Sequence, residues 1–122
     1  MQSNRTNSGR TAPRQARLVV LSTNQVIPLV FSSSTDSIVV GRKDPSLGLL
    51  PDVDLQTVAQ GKTISRRHAY LRNRQGTFTI EDLKSLHQTQ LNGITLTPHQ
   101  EYDLADGDLL HLGSIEVRFE IN

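Results

Sequence analysis

Three short segments of this 122-residue chain hold the side chains with chemical capacity: Gly41-Arg42, Ile64-Ser65-Arg66-Arg67-His68-Ala69, and the stretch from Asp82 to Gly93. Ser65 and His68 with an aspartate have the composition of a hydrolase triad. Ser65, however, sits in no Gly-x-Ser-x-Gly nucleophile elbow. A serine and a histidine three residues apart on an extended chain need not meet, so no catalytic residue is expected. The four histidines, His68, His87, His99 and His111, show no metal-ligand spacing, and there is no cysteine. Neither a metal site nor a cofactor is therefore expected. What remains is a set of hydrogen-bond donors and positive charges on loops.

The elements that must position those loops read as short strands. Apolar runs occur at Ala16–Leu21, Val26–Phe31, Ser37–Val40, Ala69–Asn73, Thr77–Leu83, Leu109–Leu112 and Ile115–Ile121, and two more flank Asn92-Gly93. Phe78 and Ile80 share one strand face. Ile115, Val117, Phe119 and Ile121 share another. Thr23-Asn24-Gln25 suits a hairpin turn, and Asn92-Gly93 is a strong one because a type I′ turn wants positive φ at both central residues. No window shows a helical stripe. The pattern predicts an all-β, two-sheet sandwich of about 10–11 short strands. The stretch from Lys43 to Lys62 reads as a long loop around one short strand, Val53–Leu55.

Composition limits the partners. The hydrophobic fraction is 35%, low for a folded chain of this length, and a disordered segment would account for it. Residues 1–15, rich in Ser, Thr, Asn, Gly and Arg, are expected to be that segment, with a folded domain over residues 16–122. Four of the thirteen basic residues (Arg5, Arg10, Arg14 and Arg17) lie in the first seventeen positions, which hold no acid. The body thus sets nine basic residues against all twelve acids and is net acidic. With aromatics at 4%, no specific nucleic-acid partner is expected. Residues 1–15 lack the apolar region of a secretory signal, and no run is long enough to span a membrane, so a cytoplasmic protein without membrane contact is the expected default.

The order of the motifs resembles the forkhead-associated (FHA) family, in its bacterial form, from about Ile38 to Glu120. The resemblance rests on Gly41-Arg42, Ser65-Arg66-Arg67-His68, Asp82-Leu83-Lys84-Ser85, Thr89, Asn92-Gly93 and Gly107-Asp108-Leu109-Leu110-His111-Leu112-Gly113. It implies the FHA/SMAD-like sandwich and a non-catalytic module that binds phosphothreonine in a partner protein or peptide. By the same resemblance Arg42, Ser65 and Arg66 form the phosphate cradle. His87, Gln88 and Asn92 contact the peptide, and Gly41, His68 and Thr89 structure the loops. The physics suits such a ligand: a phosphothreonine carries nearly two negative charges, and the fork of an arginine matches phosphate geometry. Asp82 and Asp108 are expected to satisfy turn backbones, and Gly41, Gly107 and Gly113 to serve turns or close packing.

One stretch departs from the family pattern. Where the family has Ser-x-Asn-Gly-Thr, this chain has Ser85-Leu86-His87-Gln88-Thr89. Leu86 cannot add a polar contact, and His87 lacks the paired donor and acceptor of an amide. Gln88 replaces a glycine, so it either adopts a strained left-handed conformation or reshapes the turn. The alternative function is an FHA-fold scaffold making phospho-independent contacts. Thr6 and Thr11 are candidate phosphorylation sites in the basic tail, through which the chain could be its own ligand.

Overall fold

Alternating apolar residues make this chain fold as strands whose buried faces meet. The computed structural model describes residues 15–32, 36–58 and 61–122. The expected tail, with Thr6 and Thr11, lies outside these residues except for Gln15. Among the described residues eleven strands form in order: β1 (Ala16–Val20), β2 (Val26–Leu29), β3 (Ser37–Gly41), β4 (Val53–Asp54), β5 (Ala69–Arg74), β6 (Thr77–Asp82), β7 (Thr89–Leu91), β8 (Ile94–Thr95), β9 (Glu101–Leu104), β10 (Leu109–Leu112) and β11 (Ile115–Ile121). They build a five-stranded sheet, β9-β6-β5-β3-β4, and a six-stranded sheet, β2-β1-β11-β10-β7-β8. This is the two-sheet sandwich that the strand pattern predicts.

The core lies between the sheets. Ile38, Val40, Leu71, Phe78 and Ile80 from one sheet meet Leu18, Val20, Leu110, Leu112, Val117 and Phe119 from the other, all nearly inaccessible. The Phe78 ring stands edge-on to Phe119, with centroids 5.4 Å apart, a favoured aromatic geometry. Pro28 sits in β2, an edge strand, where its missing N–H removes no ladder bond from a further neighbour.

Two features differ from the sequence reading. Glu101–Leu104 forms β9, paired antiparallel with β6, although no strand is predicted there. Its residues, Glu-Tyr-Asp-Leu, include two with poor strand propensity, and only Leu104 is fully buried. Pairing with β6 supplies what the local sequence does not. The expected strand Val53–Leu55 shortens to β4, which pairs in parallel with β3, and Leu55 turns inward to full burial.

The topology gathers the candidate residues at one end. β3, β5 and β6 are antiparallel neighbours. The end of β3, the start of β5 and the end of β6 therefore share one rim of the sheet. These points carry Gly41-Arg42, the segment ending in His68, and the loop from Leu83 to Gln88.

Candidate functional site

The first loop is docked against β3 by backbone contact. The Arg42 N–H donates to the Ser65 and Arg66 carbonyls at 3.1 and 3.2 Å. This approach explains Gly41: a Cβ there would lie 1.9 Å from the Arg66 carbonyl oxygen. The Arg42 side chain donates through Nε to the Ile64 carbonyl at 3.0 Å. That bond orients the guanidinium and leaves its Nη groups for a ligand.

His68 joins the first loop to the second. It is fully buried; its Nδ1 accepts from the Ser65 N–H at 3.1 Å, and its Nε2 lies 2.9 Å from the Gln88 carbonyl. These partners specify a neutral ring protonated on Nε2. Burial pushes the His68 pKa below its ordinary 6.5, against the opposing pull of the Gln88 carbonyl and the Asp82 charge; His87 adds to the lowering. Between 6.5 and the lowered value the unfolded chain binds a proton that the folded chain refuses. Stability is therefore full above pH 6.5 and falls as pH drops from there toward the folded value. Urea midpoints measured from about pH 8 down to pH 5 should show this acid limb, and His68→Gln should flatten it at lower overall stability.

The second loop is anchored on a buried carboxylate. Asp82 accepts the Ser85 hydroxyl and N–H and, at 2.7 Å, the Thr89 hydroxyl. These bonds tie Ser85 and Thr89 to Asp82 across the loop. Gln88 adopts φ 70°, so the left-handed turn is kept and a residue with a Cβ occupies it. Its side chain points to solvent, while its carbonyl accepts from His68 and from the Gly113 N–H at 3.0 Å. Left-handed backbone costs a non-glycine residue about 1–2 kcal/mol. Gln88→Gly should therefore raise stability by about 1 kcal/mol, after allowing for the larger unfolded-state entropy of glycine. A urea titration checks it.

The two loops close around a depression of about 250 Å³ lined by Arg42, Lys62, Thr63, Ile64, Ser65, Arg66, Leu86 and His87. Ser65 Oγ accepts the Leu86 N–H at 2.9 Å, so its hydroxyl proton is free to be donated elsewhere. Arg42, Ser65, Arg66 and His87 line the same depression. Lys62 joins them as a further cation, and among the described residues no carboxylate lines the wall. Such a wall suits an oxyanion with several acceptor oxygens.

Two of the expected peptide-contacting residues do not line the depression. Asn92 takes φ 50° in the β7–β8 turn, where its Oδ1 accepts the Leu109 N–H at 2.9 Å and its Nδ2 donates to Asp108 at 3.1 Å. Its amide is committed to pinning that turn to β10. Gln88 serves the loop through its backbone. Gly113 is a close-packing glycine, one of the two roles the sequence reading allowed it. It packs against Thr63, whose carbonyl oxygen would lie 2.6 Å from an added Cβ, and Thr63 Oγ1 accepts the Ser114 N–H at 2.9 Å. Among the described residues no group of three His, Asp or Glu side chains is arranged to hold a metal ion, and no helix is long and apolar enough to cross a membrane.

Known proteins with this pattern are consistent in kind. The FHA domain family matches residues 38–113. Protein FraH from Nostoc sp. is 36% identical over 98 residues, which cover 80% of this chain and 32% of FraH. The chain thus spans about a third of the length of that relative. A solved FHA domain from a study of phosphothreonine-dependent FHA interactions is 25% identical, with a TM-score of 0.69, covering 88% of this chain and 97% of its own. The MEK1 FHA domain, solved in complex with a phosphothreonine peptide of HOP1, is 29% identical, with a TM-score of 0.64, covering 92% of this chain and 99% of its own.

Proposed function

The chain belongs to the FHA domain family, and from that membership we propose that it is a non-catalytic module that binds a phosphothreonine-containing segment of a partner protein. One observation carries the reading: Arg42, Lys62, Ser65 and Arg66 line one depression that, among the described residues, has no lining carboxylate. A phosphothreonine brings nearly two negative charges and three strong acceptors to that place. Arg42 and Arg66 supply charged donors, and Ser65 supplies a hydroxyl held by the Leu86 N–H. Leu86, 81% exposed, stands on the rim and offers the peptide only an apolar contact. His87 offers one ring nitrogen where the family pattern has an amide. The ligand is thus held mainly by its phosphoryl group and weakly by its backbone.

The test is a titration with degenerate peptide mixtures carrying a central phosphothreonine or threonine, read by fluorescence anisotropy at two salt concentrations. Binding is expected only with phosphate, weakening as salt rises because exposed charges are screened. Equal affinity for both mixtures would replace this reading with phospho-independent contact through the exposed rim at Leu86.

A further inference from the structure

One of the three cations is already partnered in the ligand-free protein. Arg66 Nε donates to Asp44 Oδ2 at 2.5 Å, and Asp44 Oδ1 accepts the Ser46 hydroxyl at 2.6 Å. The Asp44 side chain is 15% exposed and that of Arg66 50%. The aspartate backbone is pinned as well: its N–H donates to the Leu49 carbonyl at 2.9 Å, and its carbonyl accepts from Leu47 and Leu49 at 3.1 and 3.0 Å. The Ser46 bond and the Arg66 charge hold the Asp44 carboxyl below its usual range, so it is ionised at neutral pH. Asp44 does not line the depression. It holds Arg66 through Nε.

We infer that Asp44 is a specificity-determining residue, an internal carboxylate that occupies Arg66 and restricts the cradle to dianionic phosphoryl ligands; this rests on the phosphothreonine reading above. A cradle of three uncompensated cations would attract any acidic peptide. An incoming Glu or Asp side chain offers Arg66 the same single negative charge that Asp44 already supplies through Oδ2. Asp44 holds the advantage of being tethered, with an effective concentration no dilute peptide matches. Exchanging one carboxylate for another therefore gains nothing. A phosphomonoester brings almost twice the charge and a third acceptor oxygen. It draws on Arg42, Ser65 and Lys62 at once and can share or displace the Asp44 contact. Asp44 thus weakens all anions somewhat and carboxylates most, which is discrimination by a built-in competitor.

The experiment measures affinities of the full chain for degenerate peptides with central phosphothreonine, glutamate or threonine. The variants are Asp44→Asn, Ser46→Ala and Asp103→Asn. Asp103→Asn makes the same charge change on β9, away from the depression. Asp44→Asn should bind the phosphothreonine mixture roughly 3- to 10-fold more tightly, about 1 kcal/mol by the usual conversion. The glutamate mixture should gain more, so that the phosphothreonine-to-glutamate ratio falls about tenfold. Ser46→Ala, which unpins the Asp44 carboxylate without removing its charge, should make it a poorer competitor and move both affinities the same way by less. A thermal melt of each variant reports folding. Phosphate-dependent binding with no gain in Asp44→Asn and Ser46→Ala, or a gain matched by Asp103→Asn, overturns the inference alone. A weaker Asp44→Asn does so too, because Asp44 would then be orienting Arg66. Binding that ignores phosphate in every protein overturns the functional reading and the inference with it.

Discussion

Arg42→Ala is expected to abolish measurable phosphopeptide binding while leaving the sandwich folded. On the proposed reading the side chain contributes charged donors to a phosphoryl group, and each hydrogen bond to a charged partner is worth about 1.5–3 kcal/mol. Losing two such bonds corresponds to a fall in affinity on the order of 100-fold or more. Among the described residues the side-chain bond lost is Nε to the Ile64 carbonyl, so the melting transition should shift by no more than about 1 kcal/mol equivalent. Arg42→Lys should restore little, because a point charge cannot hold the Ile64 carbonyl and fork a phosphate together. Titration of the phosphothreonine mixture against each variant, with a melt in parallel, separates loss of the ligand contact from loss of the fold. Near-normal binding by Arg42→Ala would show that the phosphate sits elsewhere.

The second large effect is expected at Gly41, and it should appear in stability and binding together. An added Cβ would lie 1.9 Å from the Arg66 carbonyl oxygen, 2.8 Å from its carbon and 3.3 Å from the Ser65 carbonyl oxygen. All three are backbone atoms, so no side-chain rotation relieves the clash. The first loop must lift off β3. That breaks the bonds from the Arg42 N–H to Ser65 and Arg66 and separates both cradle residues from Arg42. Gly41→Ala should cost about 3 kcal/mol, the upper range for overpacking, and lower phosphopeptide affinity at least tenfold. Gly107 provides the contrast. It has φ 89° and open space around its added Cβ, so Gly107→Ala should show only backbone strain of about 1–2 kcal/mol with unchanged affinity. Urea midpoints and peptide titrations on the two variants distinguish a steric role at the cradle from a conformational role at a turn.

Much of the architecture was legible because its determinants are local. Period-two alternation along Ile115–Ile121 needs no knowledge of partners, and its inward residues Ile115, Val117 and Phe119 are buried. Asn24 and Asn92 take positive φ at the turns where their types suggest it. β9 was not legible, since Glu101 and Asp103 face away from the core and only its pairing with β6 makes it a strand. Side chains that line the candidate site were likewise named by the ordered motifs on three loops. Their individual roles were less legible. A sequence shows that Asn92 has an amide, but not that Asp108 and the Leu109 N–H already occupy it.

By itself, then, the sequence determined a β-sandwich with Arg42, Ser65 and Arg66 on its loops, because alternation, turn residues and motif order are properties of neighbouring positions. The tertiary structure decided which charges reach one depression, that Gln88 keeps the left-handed turn, and that Asp44 holds Arg66. The decisive contacts join residues far apart in the chain: Arg42 to Ile64 and Asp44 to Arg66 across 22 positions, and Ser65 to Leu86 across 21. Such pairings exist only once antiparallel β3, β5 and β6 bring their loop ends to one rim. Local propensity has no term for them, whereas hydrogen bonding and charge pairing between docked loops do.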